Sequence, residues 1–351
     1  MRKRTAALLG VAGTIGVLAA RENWQRHVDL RRYEAGRDFW RLAFPAESVQ
    51  WANAHLKTYR IPSGAVGVHL DVYAQDDVNA PVVVLAHGLV TYGRLYLHVI
   101  QALYARGYTL VCPDIPGNGF SGGRRGDYTV GDATATLVDA AQWARQRFDG
   151  PLYLFGTSLG GAVAYAAAAA GAPVSAVTCI GLFTFDDRDA LRQLIAHPAL
   201  LDLLPLARVV SSLFGWVRLP LRWIQRTDHI VAPEERTQLA TWERDPLLPQ
   251  TITLGSLVSA ATTPPAVPLE RNTIPILVVN QGDDRVLNPA VTRTNFARLG
   301  GPKRYIELEG HAHWSFERDF WEEIAAAADD WFTAHSTKVN RTGHLTQSEA
   351  R

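Results

Sequence analysis

Between residues 66 and 180, short runs of consecutive apolar residues alternate with longer stretches whose apolar positions recur every three to four residues. The first pattern predicts strands buried on both faces, and the second predicts helices packed on them. Strands are expected at 66–73, 82–86, 108–112, 151–155 and 174–180, with helices at 95–105, 130–148 and 159–170. The last helix is rich in Ala, whose small side chain lets it lie close to a sheet. Such alternation belongs to βαβ units and a mostly parallel sheet, so the fold class is α/β. From about 183 to 272 the rhythm breaks into helical patches of Leu, Pro and Trp, for instance 199–210 and 213–224, without a convincing strand. That segment reads as an inserted helical lobe. The β/α rhythm then returns with a strand at 276–280, a helix at 289–299, a strand at 304–308 and a helix at 318–335. The expected organisation is an N-terminal apolar segment and linking helix (1–50), a core (51–182), the inserted lobe (183–272), a second portion of core (273–335) and a polar tail (336–351).

Composition narrows the classes. The chain has 351 residues, 47% hydrophobic and 20% charged, which suffices for a substantial core. A formal net charge of +1 with no basic block in the body gives no field to gather nucleic acid, and no nucleic-acid partner is expected. Cys112 and Cys179 each sit in an apolar run without C-x-x-C spacing and read as inert core thiols. At the N-terminus, Met1-Arg2-Lys3-Arg4 precedes an uncharged stretch, 5–20, and then Arg21, the layout of an export signal or short anchor. The stretch is shorter than the ~20 residues that span a bilayer and longer than a signal core of about 7–15, so length does not choose. Val17-Leu18-Ala19 would pass as a cleavage site. Residues 22–40 interleave Arg with Trp24, Tyr33, Phe39 and Trp40, as suits an interfacial helix. Membrane association or export through this segment is the expectation, with a cytoplasmic protein carrying an apolar N-terminal helix as the alternative.

The candidate chemistry starts at the strand 151–155, which runs into Gly156-Thr157-Ser158-Leu159-Gly160-Gly161 and then at once into the Ala-rich helix. A serine in a sharp strand-to-helix turn projects its oxygen above the sheet, and flanking glycines let neighbouring backbone approach. The helix N-terminus beneath it offers unpaired N–H groups and partial positive charge to an oxyanion. An unassisted hydroxyl is a poor nucleophile, so a base and an orienting acid must follow. The strand 276–280 ends in Gln281-Gly282-Asp283-Asp284-Arg285-Val286. Asp284 is the preferred acid. Asp283 stays open, since one of the two could cap the helix near Pro289 or pair with Arg285. The strand 304–308 ends in Glu309-Gly310-His311-Ala312-His313-Trp314, so the base comes from His311 or His313, with His313 preferred. The H-x-H pair has no third ligand at recognisable spacing, and neither a metal nor a cofactor is expected. The loop His87-Gly88-Leu89-Val90 should supply the second oxyanion donor, Leu89 N–H, beside Leu159 N–H. His87, before a glycine in a tight loop, reads as structural.

Four stretches carry a family resemblance: Leu85-Ala86-His87-Gly88, the run 113–121 (PDIPGNGFS), the run 122–128 (GGRRGDY) and the serine turn itself. With them the chain resembles the α/β-hydrolase superfamily, and within it the branch of monoacylglycerol lipases and lysophospholipases, which includes serine aminopeptidase-like members. The likeness covers about 66–180 and 274–331, with the lobe only loosely similar. It implies Ser158 as nucleophile, Asp284 as the acid before an Arg-Val pair, and His313 as the histidine before an aromatic residue. It also implies an aspartate-led helix, which Asp132 could begin. The spacing from Gly282 to Asp284 is one residue shorter than the family pattern. A serine at the turn argues against haloalkane dehalogenases and epoxide hydrolases, which carry aspartate there. In the resembling lipases the inserted lobe caps the serine. Here it holds Leu200, Leu201, Leu203, Leu204, Leu213, Phe214, Trp216, Trp223 and Trp242. These either receive a lipophilic acyl chain or pack the cap on the body. The function expected is hydrolysis of carboxylic esters with lipophilic acyl groups, such as monoacylglycerol or lysophospholipid. A peptidase, thioesterase or acyltransferase on the same triad, or a non-catalytic binding protein, is the alternative.

Overall fold

A strand apolar at every position is at ease only where helices cover both faces of its sheet, and the centre of this molecule is built that way. The structure is a computed structural model that describes residues 31, 36–224 and 229–336. Helix α1 (Ala46–His55) leads into strands β1 (Leu56–Ser63), β2 (Val66–Tyr73) and β3 (Val82–Ala86). There follow α2 (Leu97–Ala105), β4 (Thr109–Pro113), α3 (Val130–Arg145), β5 (Leu152–Thr157), α4 (Leu159–Ala169) and β6 (Ala176–Ile180). The inserted segment contributes α5 (Arg188–Leu194), α6 (Leu204–Phe214), β7 (Arg218–Pro220), α7 (Arg236–Trp242), β8 (Thr251–Thr253) and α8 (Leu254–Ala260). The chain returns through β9 (Ile276–Gln281), α9 (Pro289–Arg298), β10 (Lys303–Leu308) and α10 (Arg318–Ala334).

The main sheet runs in the order β1-β2-β4-β3-β5-β6-β9-β10. Strands β4 to β10 in that order pair in parallel, while β1 with β2 and β2 with β4 pair antiparallel. Period-two alternation divides each strand between two cores. Val82, Val84, Leu152, Leu154 and Val278 pack with Leu137 of α3 and Val163 of α4 on one face. Val83, Leu85, Phe155, Leu277 and Val279 pack with Leu97 of α2 and Phe320 of α10 on the other. The carboxyl ends of β3, β5, β9 and β10 share one rim, where a parallel sheet places its sites.

The expected α/β class with a mostly parallel sheet is the one observed. Three details depart from the sequence reading. Strand β1 was not anticipated: it is an edge strand with most side chains at least partly exposed, and its Lys57 and Arg60 hide the alternation. The inserted segment, read as free of strands, holds the antiparallel ladder of β7 with β8, three residues long and too short to leave a periodic trace. Helix α3 is capped by Thr129, whose hydroxyl accepts the Asp132 N–H, while the Asp132 carboxylate accepts the Thr129 N–H. Asp132 therefore closes a capping box from the first turn rather than leading the helix. Most of the N-terminal segment and the tail after Ser336 lie outside the described residues. Among the described residues no helix is long and apolar enough to cross a membrane.

The close seating of α4 on the sheet is testable. Ala164 is fully buried, and Ala164→Leu should destabilise the fold by about 1–3 kcal/mol through overpacking. Thermal unfolding of the two proteins side by side measures it, and an unchanged midpoint would contradict the packing described.

Candidate active site

Strand β5 delivers Ser158 into a turn with φ 54 and ψ −123, a region a residue with a Cβ seldom enters. The turn is held from three sides. The Ser158 N–H donates to the Ile180 carbonyl of β6 at 2.8 Å, and the Ser158 carbonyl accepts the Gly161 N–H at 2.9 Å. Gly160 lies so close to β3 that a Cβ there would come within 2.2 Å of the Ala86 carbonyl oxygen. Any larger residue would force α4 off the sheet and release the turn. Leu159 opens α4, so its N–H has no acceptor within the helix.

Strand β3 ends in the second loop. Its Val90 has φ 59; with Ser158 it is one of two non-glycine residues of positive φ among the described residues. A Cβ on Gly88 would lie 3.6 Å from the Ser158 Cβ, which measures how near the loop comes to the nucleophile turn. Tyr96 ties the two together. Its buried hydroxyl accepts the Gly88 N–H at 2.7 Å and the Thr157 O–H at 2.8 Å. Thr91 spends its own proton on the Gly88 carbonyl at 2.9 Å, so the Tyr96 proton goes to the Thr91 oxygen at 3.2 Å. Every donor and acceptor in this knot is used.

At the ends of β9 and β10 the second half of the arrangement forms. The His313 Nδ1–H donates to Asp284 Oδ2 at 2.7 Å. Asp284 Oδ1 accepts the N–H groups of Val286 and Leu287, each at 2.8 Å, so the buried carboxylate is fixed in orientation. With its proton on Nδ1, neutral His313 keeps a lone pair on Nε2. Gln281 holds the loop by donating from its side chain to the His313 carbonyl at 3.1 Å. Asp283 is exposed and takes no part; its N–H donates to the His311 carbonyl at 3.1 Å. The helix it could have capped is capped by Asn288. The His311 ring packs on Phe320 at 5.0 Å between centroids.

His87 is built into the scaffold. Its Nδ1–H donates to the Gly88 carbonyl at 2.8 Å, and its Nε2 accepts the Ile115 N–H at 2.9 Å. Burial lowers its pKa, because the charged ring would lose both water and the Ile115 bond. The run 113–121 serves the scaffold too: Asp114 accepts the N–H groups of Gly93 and Phe120, each at 2.8 Å. The run 122–128 anchors the inserted lobe, since Gly126 accepts the Thr253 N–H and Tyr128 N–H donates to the Ser256 hydroxyl.

Two cavities meet at Ser158 and Leu89. One, with about 900 Å3 of empty space including its mouth, is walled by Leu159, Phe183, Leu191, Ile224 and Leu257 among others, and among the described residues no Asp, Glu, Lys, Arg or His lines it. The other, about 830 Å3, holds His313 together with Tyr96, Trp242, Trp314, Trp321 and Glu243. The structure thus brings Ser158, Leu89 and His313 to one cavity, with Asp284 behind His313, and sets Leu159 on the wall of the other. Tyr96, Gln281, Trp242 and Trp314 complete the surroundings. Of these the sequence had offered only the two tryptophans, one as a neighbour of His313 and one as an apolar residue of the lobe. Among the described residues no cluster of three His, Cys, Asp or Glu forms that could hold a metal ion.

The lobe residues singled out from composition behave differently from either expectation. Leu200, Leu203, Leu213, Phe214, Trp216 and Trp223 face solvent, while Leu201, Leu204 and Trp242 are buried. Only Trp242 of the nine lines a cavity at Ser158. Helix α6 is amphipathic with its apolar side outward, which composition cannot reveal.

The profile of the Hydrolase_4 family, described as serine aminopeptidase S33, matches residues 78–318. The chain belongs to this family. As an S33-family protein it is a hydrolase with the α/β-hydrolase fold. It is 25% identical over 265 residues to Phospholipase YtpA of Bacillus subtilis (strain 168), covering 72% of this chain and 95% of that protein. The crystal structure of a monoacylglycerol lipase from Paleococcus ferrophilus superposes with a TM-score of 0.61 at 23% identity, covering 80% of this chain and all 100% of that one. A soluble variant of the monoglyceride lipase of Saccharomyces cerevisiae gives 0.62 at 15% identity, covering 80% of this chain and 96% of that one.

The role of His87 yields a pH signature. In the unfolded S33-family chain it takes a proton near the ordinary value of 6.5, whereas the folded site refuses it until lower pH. Its stabilising contribution is therefore whole above 6.5 and erodes as pH falls, by about 1.4 kcal/mol per pH unit until the folded site titrates. Denaturant titrations from pH 7 downward should show His87→Gln losing stability less steeply than the wild type. Parallel curves would remove the buried neutral imidazole from the account.

Proposed function

We propose that this hydrolase cleaves carboxylic esters of lipophilic acyl groups, such as monoacylglycerols or lysophospholipids, through an acyl-enzyme on Ser158. The observation that carries the reading is the meeting of two unlike cavities at Ser158, one lined by no charged side chain among the described residues and one containing His313. Ser158 Oγ attacks the ester carbonyl while its proton passes to His313 Nε2. Asp284 holds the Nδ1–H tautomer and stabilises the imidazolium. The N–H groups of Leu89 and Leu159 receive the oxyanion. Collapse of the tetrahedral intermediate expels the alcohol oxygen, which takes the proton from His313, and water repeats the sequence to free the acid. Because that proton comes from His313, the leaving alcohol lies in the cavity with the imidazole and the acyl chain in the apolar one. Peptide cleavage from an N-terminus fits less well: the acyl part of such a substrate carries an ammonium, and among the described residues the apolar cavity has no carboxylate to meet it.

The outer face of the lobe supports a second element of the reading, contact with a lipid bilayer. Leu206 is 61% and Leu213 71% exposed, with Val209, Phe214 and Trp223 also on the surface and Arg208 and Arg222 exposed among them. Soluble monomers seldom show so much contiguous apolar surface. An amphipathic surface of this kind suits a substrate drawn from a membrane, with the arginines at anionic headgroups.

Two experiments test these elements. Ser158→Ala should abolish both labelling by a fluorophosphonate and hydrolysis of p-nitrophenyl esters, and Asp284→Asn should lower kcat by about 10⁴ through the wrong imidazole tautomer. Wild-type protein that hydrolyses aminoacyl amides faster than esters would overturn the ester reading. In flotation with anionic phospholipid vesicles, the double variant Leu206→Glu, Leu213→Glu should lose several-fold in bound fraction relative to wild type. Unchanged flotation, or a wild type that self-associates and ignores vesicles, would exclude the lobe face as the contact.

A further inference from the structure

The loop that carries His313 is held from two sides by different parts of the chain. On the side of the body, the His311 carbonyl accepts the Asp283 N–H and the His313 carbonyl accepts the Gln281 amide, each at 3.1 Å. From the next residue onward partners come from the inserted lobe. The Trp314 N–H donates to the Ile230 carbonyl at 2.8 Å. The Ser315 hydroxyl and the Phe316 N–H both donate to Glu235 Oε1, at 2.8 and 2.5 Å. Ser315 passes the hold on to α10, since its oxygen accepts the Glu317 N–H at 3.1 Å and its carbonyl accepts the Trp321 indole N–H at 2.9 Å.

Glu235 stands immediately before α7 and is 6% exposed. Burying a carboxylate is costly unless its oxygens find donors, and here two donors from one loop converge on one oxygen. Trp242, the last residue of α7, packs on the rings of Trp314 and Phe316 with centroids 5.1 and 4.7 Å away. Both ends of α7 thus grip the three residues that follow His313. Glu235 itself lies outside the walls of the two cavities at Ser158, so its contact is with the loop and not with a ligand. For the chemistry, the direction of one ring matters: His313 Nδ1 is bound to Asp284 at 2.7 Å, and Nε2 must stay within hydrogen-bond reach of the proton it takes. The backbone at residue 313 sets that direction, and it is fixed between Gln281 before it and the lobe bonds after it.

We propose that Glu235 is a positioning residue for the reaction at Ser158: by holding Ser315 and Phe316 it sets the backbone at His313 and with it the aim of the imidazole. The lobe then takes part in catalysis by orienting the base, and is not only a wall of the two cavities. The proposal rests on the reading of Ser158 and His313 given above, and the bond broken is still the ester C–O bond. A catalytic group displaced by about 1 Å through a remote change can cost on the order of 10²-fold in rate.

The test measures kcat and KM on a p-nitrophenyl ester, and the rate and final extent of fluorophosphonate labelling, in the full-length protein. Glu235→Ala should lower kcat on the order of 10²-fold and leave KM nearly unchanged. Its Ser158 should label slowly but to the same final extent as wild type. Glu235→Gln keeps an oxygen that can accept from both donors and should recover most of kcat. Ser315→Ala removes one of the two bonds and should fall between wild type and Glu235→Ala. An unchanged kcat in Glu235→Ala would overturn the proposal, as would a loss carried by KM alone. A reduced extent of labelling at an unchanged rate would mean that the change only unfolds part of the protein, and would overturn it too; so would a Gln variant as impaired as the Ala one. If Glu235→Ala does not fold, Ser315→Ala decides, and an unchanged kcat there overturns the proposal. Wild-type protein that is not labelled and cleaves no ester would sink the functional reading; wild type that labels and cleaves, matched by Glu235→Ala, would sink only the role of Glu235.

Discussion

Everything at the rim of the sheet depends on keeping one residue with a side chain in a conformation that backbone sterics disfavour. A non-glycine residue at φ 54 costs on the order of 1–3 kcal/mol, and it persists only where its surroundings leave no alternative. For Ser158 those surroundings are three neighbouring strands. β5 brings it in, β6 holds its N–H through Ile180, and β3 receives the bare Cα of Gly160 against the Ala86 carbonyl. The second strained residue, Val90, stands at the end of that same β3. Among the described residues, positive φ at residues with a Cβ is thus confined to two loops that both line the cavity holding His313.

What prevents relaxation is a set of buried polar groups with no spare capacity. The Tyr96 hydroxyl joins the loop after β3 to the end of β5, and Asp114 joins the start of the next helix to the loop after β4. Burial pushes the Tyr96 phenol up, so it remains a proton carrier for Thr91 across the physiological range. Asp284 plays the same part on the far side, where two backbone N–H groups and one imidazole hold both of its oxygens. Removing any member leaves a buried partner unpaired, which costs more than the bond itself contributes. Cys112 and Cys179 stand apart from this chemistry: both are buried and unpaired by disulfide, and burial raises the Cys179 thiol to about 12.

The strands of the parallel sheet were legible in the sequence to within a residue or two, because a strand covered on both faces must be apolar throughout and glycine-rich turns mark its ends. The serine turn and the two loops that offer a carboxylate and an imidazole were marked in the sequence for a related reason: each lies at or shortly after a strand end. The choice between Asp283 and Asp284 was not, since two adjacent carboxylates differ only in which way the chain turns after Gln281. The exposure of α6 was hidden for a different cause. Amphipathicity tells which residues share a face, not whether that face meets the body or the solvent. Tyr96 was silent because a tyrosine in an apolar helix start looks like core until its hydroxyl is seen to carry three bonds.

The walls of the two cavities come from different stretches of chain. Residues of α5 and α8 enclose the apolar one, whereas α7 and the segment after β10 enclose the other, and among the described residues only Ser158 and Leu89 border both. An amino-acid change in either wall therefore reshapes one compartment and leaves its neighbour's dimensions alone. The two compartments are thus encoded by separate parts of the gene, so that natural drift or deliberate redesign can retune one without renegotiating the other.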